Sequence, residues 1–332
     1  MMKERSKYET VKDRKTGKPV ATGLLKGICI SEKKGTKKPE VQEAFLKEDW
    51  GLVDDAHAGR WHRQVSLLSL EKIDAFRKRG ADVAFGDFGE NLIVEGFDLR
   101  TLPVGTRFRI GEALLEMSQI GKECHSHCAI YQAMGDCIMP REGVFAVVKE
   151  PGTIHLGDPV ECLAPDPERP LTAAVITLSD KGFRGEREDK SGPAVVEILQ
   201  ANGYEIIETI LLPDRQEIIE KELIRLCDQR QVNLIVTTGG TGFAPTDVTP
   251  EATMKVATRN APGIAEAIRA GSMTITRRAM LSREVSVIRN QTLIVNLPGS
   301  PKAVKESLGF VVDQLDHGIR ILTGRAGECA RK

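Results

Sequence analysis

The second half of this chain is predicted to form an α/β domain, and the first half a separate β-rich domain. Between residues 171 and 325, apolar strand-like segments alternate with helical segments, which is typical of a mostly parallel sheet with helices on both faces. Between residues 23 and 162, short strand-like segments are separated by Gly, Pro and Asp, as in an antiparallel barrel. The sequence therefore predicts a multi-domain protein with two different fold classes.

Length and composition agree with this prediction. A chain of 332 residues is longer than one core usually sustains, and 41% hydrophobic with 28% charged residues is typical of a globular protein. Lys+Arg and Asp+Glu both number 47, so there is no net field to recruit nucleic acid or an anionic membrane. No segment has the roughly 20 apolar residues of a membrane span. The charged start lacks the apolar core of a signal peptide. We expect a cytoplasmic protein that binds neither partner.

The predicted boundaries follow changes in composition. The polar, lysine-rich residues 1–22 read as a flexible tail or a loosely docked strand, and 23–162 as the β-rich domain. Residues 163–170 contain three prolines and read as a linker, 171–325 form the α/β domain, and 326–332 a second tail.

Individual elements are predicted from apolar periodicity. In the first half we expect one helix over 70–79, and strands over 65–70, 91–97, 106–111, 113–120 and 144–150. In the second half we expect strands over 173–179, 204–212, 234–236 and 292–300, and helices over 191–203, 215–230 and 302–322.

Polar and glycine-rich segments directly follow the strands of the second half. In a parallel sheet these strand ends meet at one edge, where ligands bind. The expected site residues are Ser179 and Asp180, Asp214, the Gly239–Gly242 turn, Asp247, and the turn of Pro298, Gly299 and Ser300.

The segment LIVTTGGTGFAPTDVTPEAT carries the most information. Gly239, Gly240 and Gly242 let backbone amides approach a phosphate oxygen without a Cβ in the way. Thr249 reads as an N-cap with Pro250 at the first helical position, which directs further amides to the same place. An ordinary glycine-rich turn is the alternative, because isolated Gly-rich matches are weak.

Two carboxylates in this region suit magnesium-dependent chemistry. Asp214 and Asp247 have the oxygen ligands that Mg²⁺ takes beside a phosphate. The half contains no Ser-His-Asp set and no Walker lysine, so nucleophilic catalysis by a side chain has little support.

The second half resembles the Mog/MoaB family and the gephyrin G domain, the molybdopterin adenylyltransferases of molybdenum cofactor synthesis. The matching pieces, in chain order, are SDKGFRGEREDKSG, TTGGTG, DVTPEAT, APGIAEAIR, MLSREV and LPGSPKAVKE. The resemblance implies a homotrimer that takes molybdopterin and Mg-ATP, transfers AMP to the terminal phosphate of the pterin and releases pyrophosphate.

The resemblance also implies roles for particular residues. Asp214 and Asp247 match the catalytic aspartates. Ser282 and Arg283 lie in a family motif and suggest anion binding, although a surface ion pair is an equal alternative for Arg283. The residues that match the nucleotide and pterin pocket are Ser179, Asp180, Gly239, Gly240, Thr241, Gly242, Pro298, Gly299 and Ser300.

The first half contains a dense group of thiols and imidazoles. Cys124, His125, His127 and Cys128 lie within five residues, with Cys137 nearby. Such a group can bind a soft or borderline metal or contain a reactive thiolate. Structural zinc is an alternative, although the paired spacing of a zinc ribbon is missing, and Cys128 or Cys137 can equally be core residues.

This half resembles the MOSC domain of molybdenum cofactor sulfurases and amidoxime-reducing proteins. The matching pieces are HRQVSLLS and the stretch from GDFGENL to GKECH. The resemblance implies a β-barrel in which Cys124 acts on sulfur, molybdenum or the finished cofactor, with molybdate or other cofactor-synthesis proteins as further partners. Two alternatives to the adenylyltransferase are a non-catalytic pterin carrier and a sulfur or metal relay protein run by the MOSC half.

Overall fold

The computed structural model describes residues 19–124 and 129–325. His125, His127 and Cys128 of the predicted thiol and imidazole group lie outside the described residues. The chain divides into two compact units between Pro167 and Glu168. No described helix is long and apolar enough to cross a bilayer.

The first unit is built mainly of short strands. Its helices are α1 (Leu70–Lys78), α2 (Ala129–Met134) and α3 (Met139–Glu142). Its strands are β1 (Ala21–Cys29), β2 (Glu40–Val41), β3 (Glu43–Lys47), β4 (Gly51–Leu52), β5 (Val65–Ser69), β6 (Leu92–Glu95), β7 (Arg107–Ile110), β8 (Ala113–Ile120), β9 (Val144–Glu150), β10 (Gly152–His155) and β11 (Pro159–Leu163).

These strands close into a barrel. The order is β11-β7-β8-β9-β5-β6-β1, and β1 pairs back onto β11, with β2 added beside β1. A smaller sheet has the order β10-β3-β4. Alternate residues of the strands are buried, as in β3, and the barrel core includes Leu25, Leu67, Phe108 and Leu115. Closure leaves β1 and β11 without free edges along their paired residues.

Two details of the first unit differ from the prediction. β5 and β6 are parallel, because α1 and the segment after it carry the chain back before β6 begins. The strand β1 already begins at Ala21, two residues inside the predicted tail, and the amide of Val20 donates to the carbonyl of Cys162. Pairing with a distant strand is not visible in the local composition of a lysine-rich segment.

The second unit alternates strands and helices. Its strands are β12 (Thr172–Leu178), β13 (Glu205–Leu212), β14 (Leu234–Thr238), β15 (Arg259–Asn260), β16 (Ser286–Arg289) and β17 (Thr292–Leu297). Its helices are α4 (Asp180–Phe183), α5 (Ser191–Ala201), α6 (Gln216–Ile224), α7 (Thr249–Val256), α8 (Pro262–Ile275), α9 (Pro301–Gly309) and α10 (Val312–Leu322).

The strands of the second unit form one mixed sheet in the order β13-β12-β14-β17-β16-β15. The strands β13, β12, β14 and β17 run parallel to one another. The strand β16 pairs antiparallel with β17, and β15 pairs antiparallel with β16. The carboxyl ends of β13, β12, β14 and β17 therefore lie side by side at one edge.

Two separate hydrophobic clusters pack against this sheet. Ala173 and Val175 of β12 belong to a cluster with residues of α5, α8, α9 and α10. Ala174 and Ile176, the intervening residues, belong to a cluster with residues of α6 and α7. Consecutive strand residues point to opposite faces, so each cluster uses its own set of strand side chains.

Two predicted helices differ in detail. The segment 302–322 forms two helices, α9 and α10, which are interrupted at Phe310 and Val311. The segment 215–230 forms α6 followed by one turn of π-helix over Arg225–Gln229. In both cases the helical segments before and after the irregularity bury apolar residues, so apolar periodicity continues through it. The sequence pattern therefore does not reveal the irregularity.

Candidate active site

A cavity of about 1010 Å³ lies at the carboxyl ends of the parallel strands. Four strand ends contribute to it, as the sequence predicts for a parallel sheet. The predicted site residues that line it are Ser179, Asp180, Asp214, Gly239, Gly240, Asp247, Gly299 and Ser300.

Asp180 and Asp214 form two reciprocal hydrogen bonds, in which the carboxylate of each residue accepts the backbone amide of the other. Asp214 Oδ2 accepts the amide of Asp180 at 2.8 Å, and Asp180 Oδ1 accepts the amide of Asp214 at 3.1 Å. This reciprocal pair joins the end of β12 to the end of β13. It fixes the position of both side chains and leaves each with a second oxygen.

The electrostatic environment of Asp214 disfavours its charged form. Partial burial raises the pKa of Asp214, and the negative charges of Asp180 and Asp247 raise it further. The positive charge of Arg187 acts in the opposite direction. Asp214 is therefore a carboxylate whose charge a nearby cation would stabilise.

The turn after β14 requires glycine at two positions. Gly239 has φ +105°, and a Cβ there would lie 2.2 Å from the carbonyl oxygen of Leu178. Gly240 has φ +61°, and a Cβ there would lie 2.4 Å from Thr249 Oγ1 and 3.3 Å from Asp214 Oδ1. The turn thus comes close to a catalytic candidate, and only glycine allows that approach.

Thr249 does not cap α7 as predicted. It is the first residue of the helix rather than the residue before it, and its hydroxyl donates to the carbonyl of Gly239 at 2.9 Å. The amide of Thr249 donates to the carbonyl of Gly240 at 3.2 Å. Thr249 therefore fixes the glycine turn to the start of α7, because the turn brings two carbonyls within its reach.

Asp247 closes the loop between the glycine turn and α7. Its Oδ2 accepts the amide of Ala244 at 2.9 Å, and a Cβ at Gly242 would lie 2.8 Å from the same oxygen. The loop thus folds back on the Asp247 side chain. This contact places the carboxylate in the cavity beside Asp214.

The turn after β17 packs against the glycine turn. The hydroxyl of Thr238 donates to the carbonyl of Pro298 at 2.7 Å, and a Cβ at Gly299 would lie 3.2 Å from the Cα of Gly239. The hydroxyl of Ser300 accepts the amide of Ala303 and caps α9. Pro298 thus holds the turn in place, while Gly299 and Ser300 face the cavity.

Four predicted residues besides Pro298 do not line the cavity: Thr241, Gly242, Ser282 and Arg283. Thr241 is buried, and its carbonyl accepts the amide of Arg283 at 2.9 Å. The guanidinium of Arg283 donates to the carbonyls of Gly242 and Asp247 and pairs with Glu251.

These contacts favour the ion-pair alternative for Arg283 over anion binding. Its donors face the loop between Gly242 and Asp247, which it holds against α7. The backbone amide of Ser282 donates to the carbonyl of Ala279 at 3.0 Å, and the carbonyl of Ser282 accepts from Arg269. Arg283 therefore supports the site from outside the cavity.

Several lining residues were not predicted individually. Asp189 accepts the amides of Ser191 and Gly192 and so holds the start of α5. Lys181, Arg184, Arg187 and Lys190 also line the cavity. Asp189 and these four cations belong to the segment SDKGFRGEREDKSG. The regular spacing of three residues between successive cations is the sequence signal that could have identified the cations.

The donor atoms of the cavity fit Mg²⁺. Asp214 and Asp247 supply carboxylate oxygens, and both lie next to glycines whose missing side chains leave room. Within residues 19–124 and 129–325, no three His, Cys, Asp or Glu side chains form a metal group by themselves. A magnesium ion here would take the remaining ligands from substrate phosphates and water, as this ion commonly does.

In the first unit, Cys124 follows β8 and is exposed, whereas Cys29, Cys137 and Cys162 are buried. Burial raises the pKa of the Cys29 thiol to about 12, and of the Cys162 thiol to about 12. Among the described cysteines of this unit, Cys124 is therefore the thiol that solvent reaches. Cys137 lies in a hydrophobic cluster with residues of α1 and α3, in agreement with the core alternative.

A hydrogen-bonded histidine lies near the strand that leads to Cys124. His62 Nε2 is 2.9 Å from Gln119 Oε1, and Gln119 Nε2 donates to the carbonyl of Gly121 at 2.7 Å. The loop before β5 is thus fixed to the end of β8. His62 is not among the site residues that the sequence predicts.

Lys38, Asp55 and Asn91 form a buried polar cluster in the first unit, which the sequence did not predict. Lys38 Nζ and Asn91 Nδ2 both donate to Asp55 Oδ2 at 2.8 Å, and the amide of His57 donates to Asp55 Oδ1. Burial alone would raise the pKa of Asp55, but the bonds from His57 and Lys38 outweigh it and hold the pKa well below its usual range. The cluster fixes the loop that carries His57.

The four parallel strands, the glycine turn and the aspartates beside it define the second unit as an α/β domain with its cavity at the carboxyl ends of the strands. Comparison with known families specifies both units. The family described as a probable molybdopterin binding domain matches residues 174–317, and the MOSC domain matches residues 54–161.

Curated relatives of the second unit are close in sequence. The molybdopterin adenylyltransferase of Helicobacter pylori is 41% identical over 152 residues, which are 45% of this chain and 86% of that protein. The corresponding protein of Escherichia coli is 46% identical over 146 residues, 43% of this chain and 74% of its own. The solved structure of the molybdopterin biosynthesis enzyme MoaB from Thermus thermophilus is 44% identical and covers 46% of this chain and 97% of its own, with a TM-score of 0.45. Through its second unit the chain belongs to the molybdopterin adenylyltransferase family, and its first unit contains a MOSC domain.

Proposed function

We propose that the second unit adenylylates molybdopterin during molybdenum cofactor synthesis, using Mg-ATP. The observation that carries the proposal is one cavity in which Asp214, Asp247 and the glycine turn come together. Its volume of about 1010 Å³ is at the upper end of small-molecule sites, as two substrates require. The family membership supports the same activity.

The reaction is a phosphoryl-group displacement. An oxygen of the terminal phosphate of molybdopterin attacks the α-phosphorus of ATP and forms a new P–O bond. The bond between the α-phosphorus and the oxygen that bridges to the β-phosphate breaks, and pyrophosphate takes the electron pair. No side-chain nucleophile is needed, so positioning and charge stabilisation supply the catalysis.

The described residues divide these tasks. The Gly239–Gly240 turn brings backbone close to the phosphates, and Ser179, Gly299 and Ser300 line the same cavity. Asp214 and Asp247 would hold Mg²⁺, which when bound neutralises phosphate charge at the reacting centre. Asp180 holds Asp214 through the reciprocal backbone bonds.

We further infer that helices cover both faces of the sheet in this unit. The two clusters, one with α5, α8, α9 and α10 and one with α6 and α7, support this inference. Helices on the two faces leave the strand ends as the open edge, which is where the cavity lies.

The experiment is AMP transfer to molybdopterin by the purified chain with Mg-ATP, compared with Asp247→Asn and Asp214→Asn. We expect each variant to lose at least about 100-fold in turnover, the scale of removing one preorganised electrostatic group. Circular dichroism of each variant checks that the fold is intact. Full activity in both variants would contradict the mechanism.

The alternative of a pterin carrier gives a different result in the same experiment. No turnover by the wild-type chain, together with tight binding of molybdopterin, would favour a carrier and move the chemistry to Cys124. Turnover that is lost in Asp247→Asn favours the enzyme.

For the first unit we propose that the exposed thiol of Cys124 acts on molybdenum, sulfur or the finished cofactor. Its exposure after β8, in contrast to the buried Cys29 and Cys162, supports the proposal. Molybdenum and persulfide content of the purified chain, measured beside Cys124→Ser, tests it. Equal content in both proteins would contradict a role for this thiol.

We also propose that the chain forms a homotrimer and that the α/β domain spans residues 171–325. The barrel extends beyond the predicted limits of 23–162, since β1 begins at Ala21 and β11 ends at Leu163. Exposed apolar side chains at the end of α8 and just after it are the kind of surface that an oligomer covers. They are Met273, Ile275, Met280 and Leu281.

A further inference from the structure

The connection from β12 to α5 contributes four cationic side chains to the lining of the cavity. Lys181, Arg184, Arg187 and Lys190 all line the cavity and all come from this one segment. The same connection also contributes the carboxylates of Asp180, Glu188 and Asp189, whereas Asp214 and Asp247 come from other strand ends. All the cations of the lining therefore come from one segment, which carries acidic side chains as well.

The segment is fixed at both ends. At its start the hydroxyl of Ser179 accepts the amide of Gly182 at 3.1 Å. At its end Asp189 accepts the amides of Ser191 and Gly192. In between, the amide of Glu186 donates to the carbonyl of Lys181 at 2.9 Å. Arg187 therefore extends from backbone whose two flanks are held in place.

The four cations differ in their partners. Arg184 Nε lies 2.7 Å from Glu186 Oε1, and Lys190 Nζ lies 3.5 Å from Glu188 Oε2. Within the described parts of the chain, Lys181 and Arg187 have no carboxylate oxygen within 4.0 Å. The charge of Lys181 acts on Glu186, whereas that of Arg187 acts on Asp214. Arg187 is the cavity arginine that combines an uncommitted guanidinium with an effect on the catalytic carboxylate.

The charge balance of the cavity requires such a group. A nucleoside triphosphate carries several negative charges into a site whose lining already includes Asp180, Asp189, Asp214 and Asp247. A guanidinium can bind two phosphate oxygens at once through parallel N–H donors. Arg187 is exposed and lines the cavity, so a ligand that enters from solvent can reach its guanidinium.

We propose that Arg187 binds the β- and γ-phosphates of the nucleotide, and the pyrophosphate that they become. This proposal rests on the adenylyltransferase activity proposed above. It makes Arg187 a determinant of specificity for a polyphosphate over a monophosphate, while molybdopterin is bound by other residues.

The test compares wild type, Arg187→Gln and Arg187→Lys in two measurements. The first is calorimetric titration with pyrophosphate and Mg²⁺, and the second gives KM separately for Mg-ATP and molybdopterin. We expect Arg187→Gln to weaken pyrophosphate binding and raise KM for Mg-ATP by about ten- to a hundredfold, with KM for molybdopterin within about twofold. Arg187→Lys should recover part of the loss, because it keeps the charge without the paired donors.

Arg277→Gln is the matched control, since Arg277 is exposed and lies outside the cavity lining. It should bind pyrophosphate as the wild type does. Equal pyrophosphate affinity in Arg187→Gln and Arg277→Gln, or a rise in KM for molybdopterin instead of Mg-ATP, would overturn the proposal. The titration needs no turnover, so it decides the role of Arg187 even if AMP transfer itself fails.

Discussion

At the residue scale, buried ionisable groups behave differently in the two units. In the second unit, partial burial and the negative charges of Asp180 and Asp247 raise the pKa of Asp214, which lines the open cavity. In the first unit Glu90 is fully buried, and its oxygens accept the amides of Gly86 and Phe88 at 2.8 and 3.0 Å. Burial raises the pKa of Glu90 from 4.5 to about 7 in spite of these bonds.

Glu90 should make the stability of the first unit depend on pH. A carboxyl with a raised pKa stabilises the folded state below its unfolded pKa and loses that contribution as pH rises through the folded value. We expect the free energy of unfolding to fall by about 3 kcal/mol between pH 4.5 and 7, relative to Glu90→Gln. Urea unfolding followed by tryptophan fluorescence measures this, because both tryptophans, Trp50 and Trp61, lie in the first unit. Parallel pH profiles of the two proteins would refute it.

At the element scale, the turn between β14 and α7 contains the site glycines with positive φ, Gly239 and Gly240. The sequence predicted the glycines of this turn, and the structure shows why glycine is needed there. Gly240 must combine a positive φ with a close approach to Thr249 and Asp214. The predicted cap at Thr249 was wrong, since a single-residue offset depends on contacts with Gly239 that no local pattern contains.

Gly240→Ala should therefore impair both stability and activity. The added Cβ would meet Thr249 Oγ1 at 2.4 Å and would need a positive φ, which costs about 1–3 kcal/mol. Gly263→Ala is the control, because a Cβ there meets nothing within 4 Å at the start of α8, and it should be neutral or stabilising by up to about 1 kcal/mol. Far-UV circular dichroism in urea and AMP transfer measure the two effects. Equal behaviour of the two variants would show that the turn tolerates a side chain.

At the scale of the whole molecule, each unit has its own hydrophobic core. The barrel core and the two clusters of the α/β sheet share no residue. A division between Pro167 and Glu168 interrupts no helix or strand. Both units therefore meet the structural condition for folding independently.

A fragment of residues 168–332 should retain AMP transfer, with kcat/KM within about threefold of the intact chain, because distant independent parts act additively. The link between the units should matter only for transfer of the pterin to Cys124, by raising its effective concentration there. Single-turnover transfer by the intact chain, compared with an equimolar mixture of the two fragments, measures this. Equal rates would exclude an advantage from the linkage.

The sequence by itself determined the family of both halves, the alternation of strands and helices, and most of the residues at the strand ends. It could do so because apolar periodicity, glycine turns and strand-end polarity are local patterns. Only the tertiary structure decided that Arg283 contacts Gly242, Asp247 and Glu251, that β5 and β6 are parallel, and that α9 and α10 are separate. It also revealed the reciprocal bonds of Asp180 and Asp214 and the buried cluster around Asp55. These features depend on which distant side chains and strands meet in space, and that information is absent from any single segment.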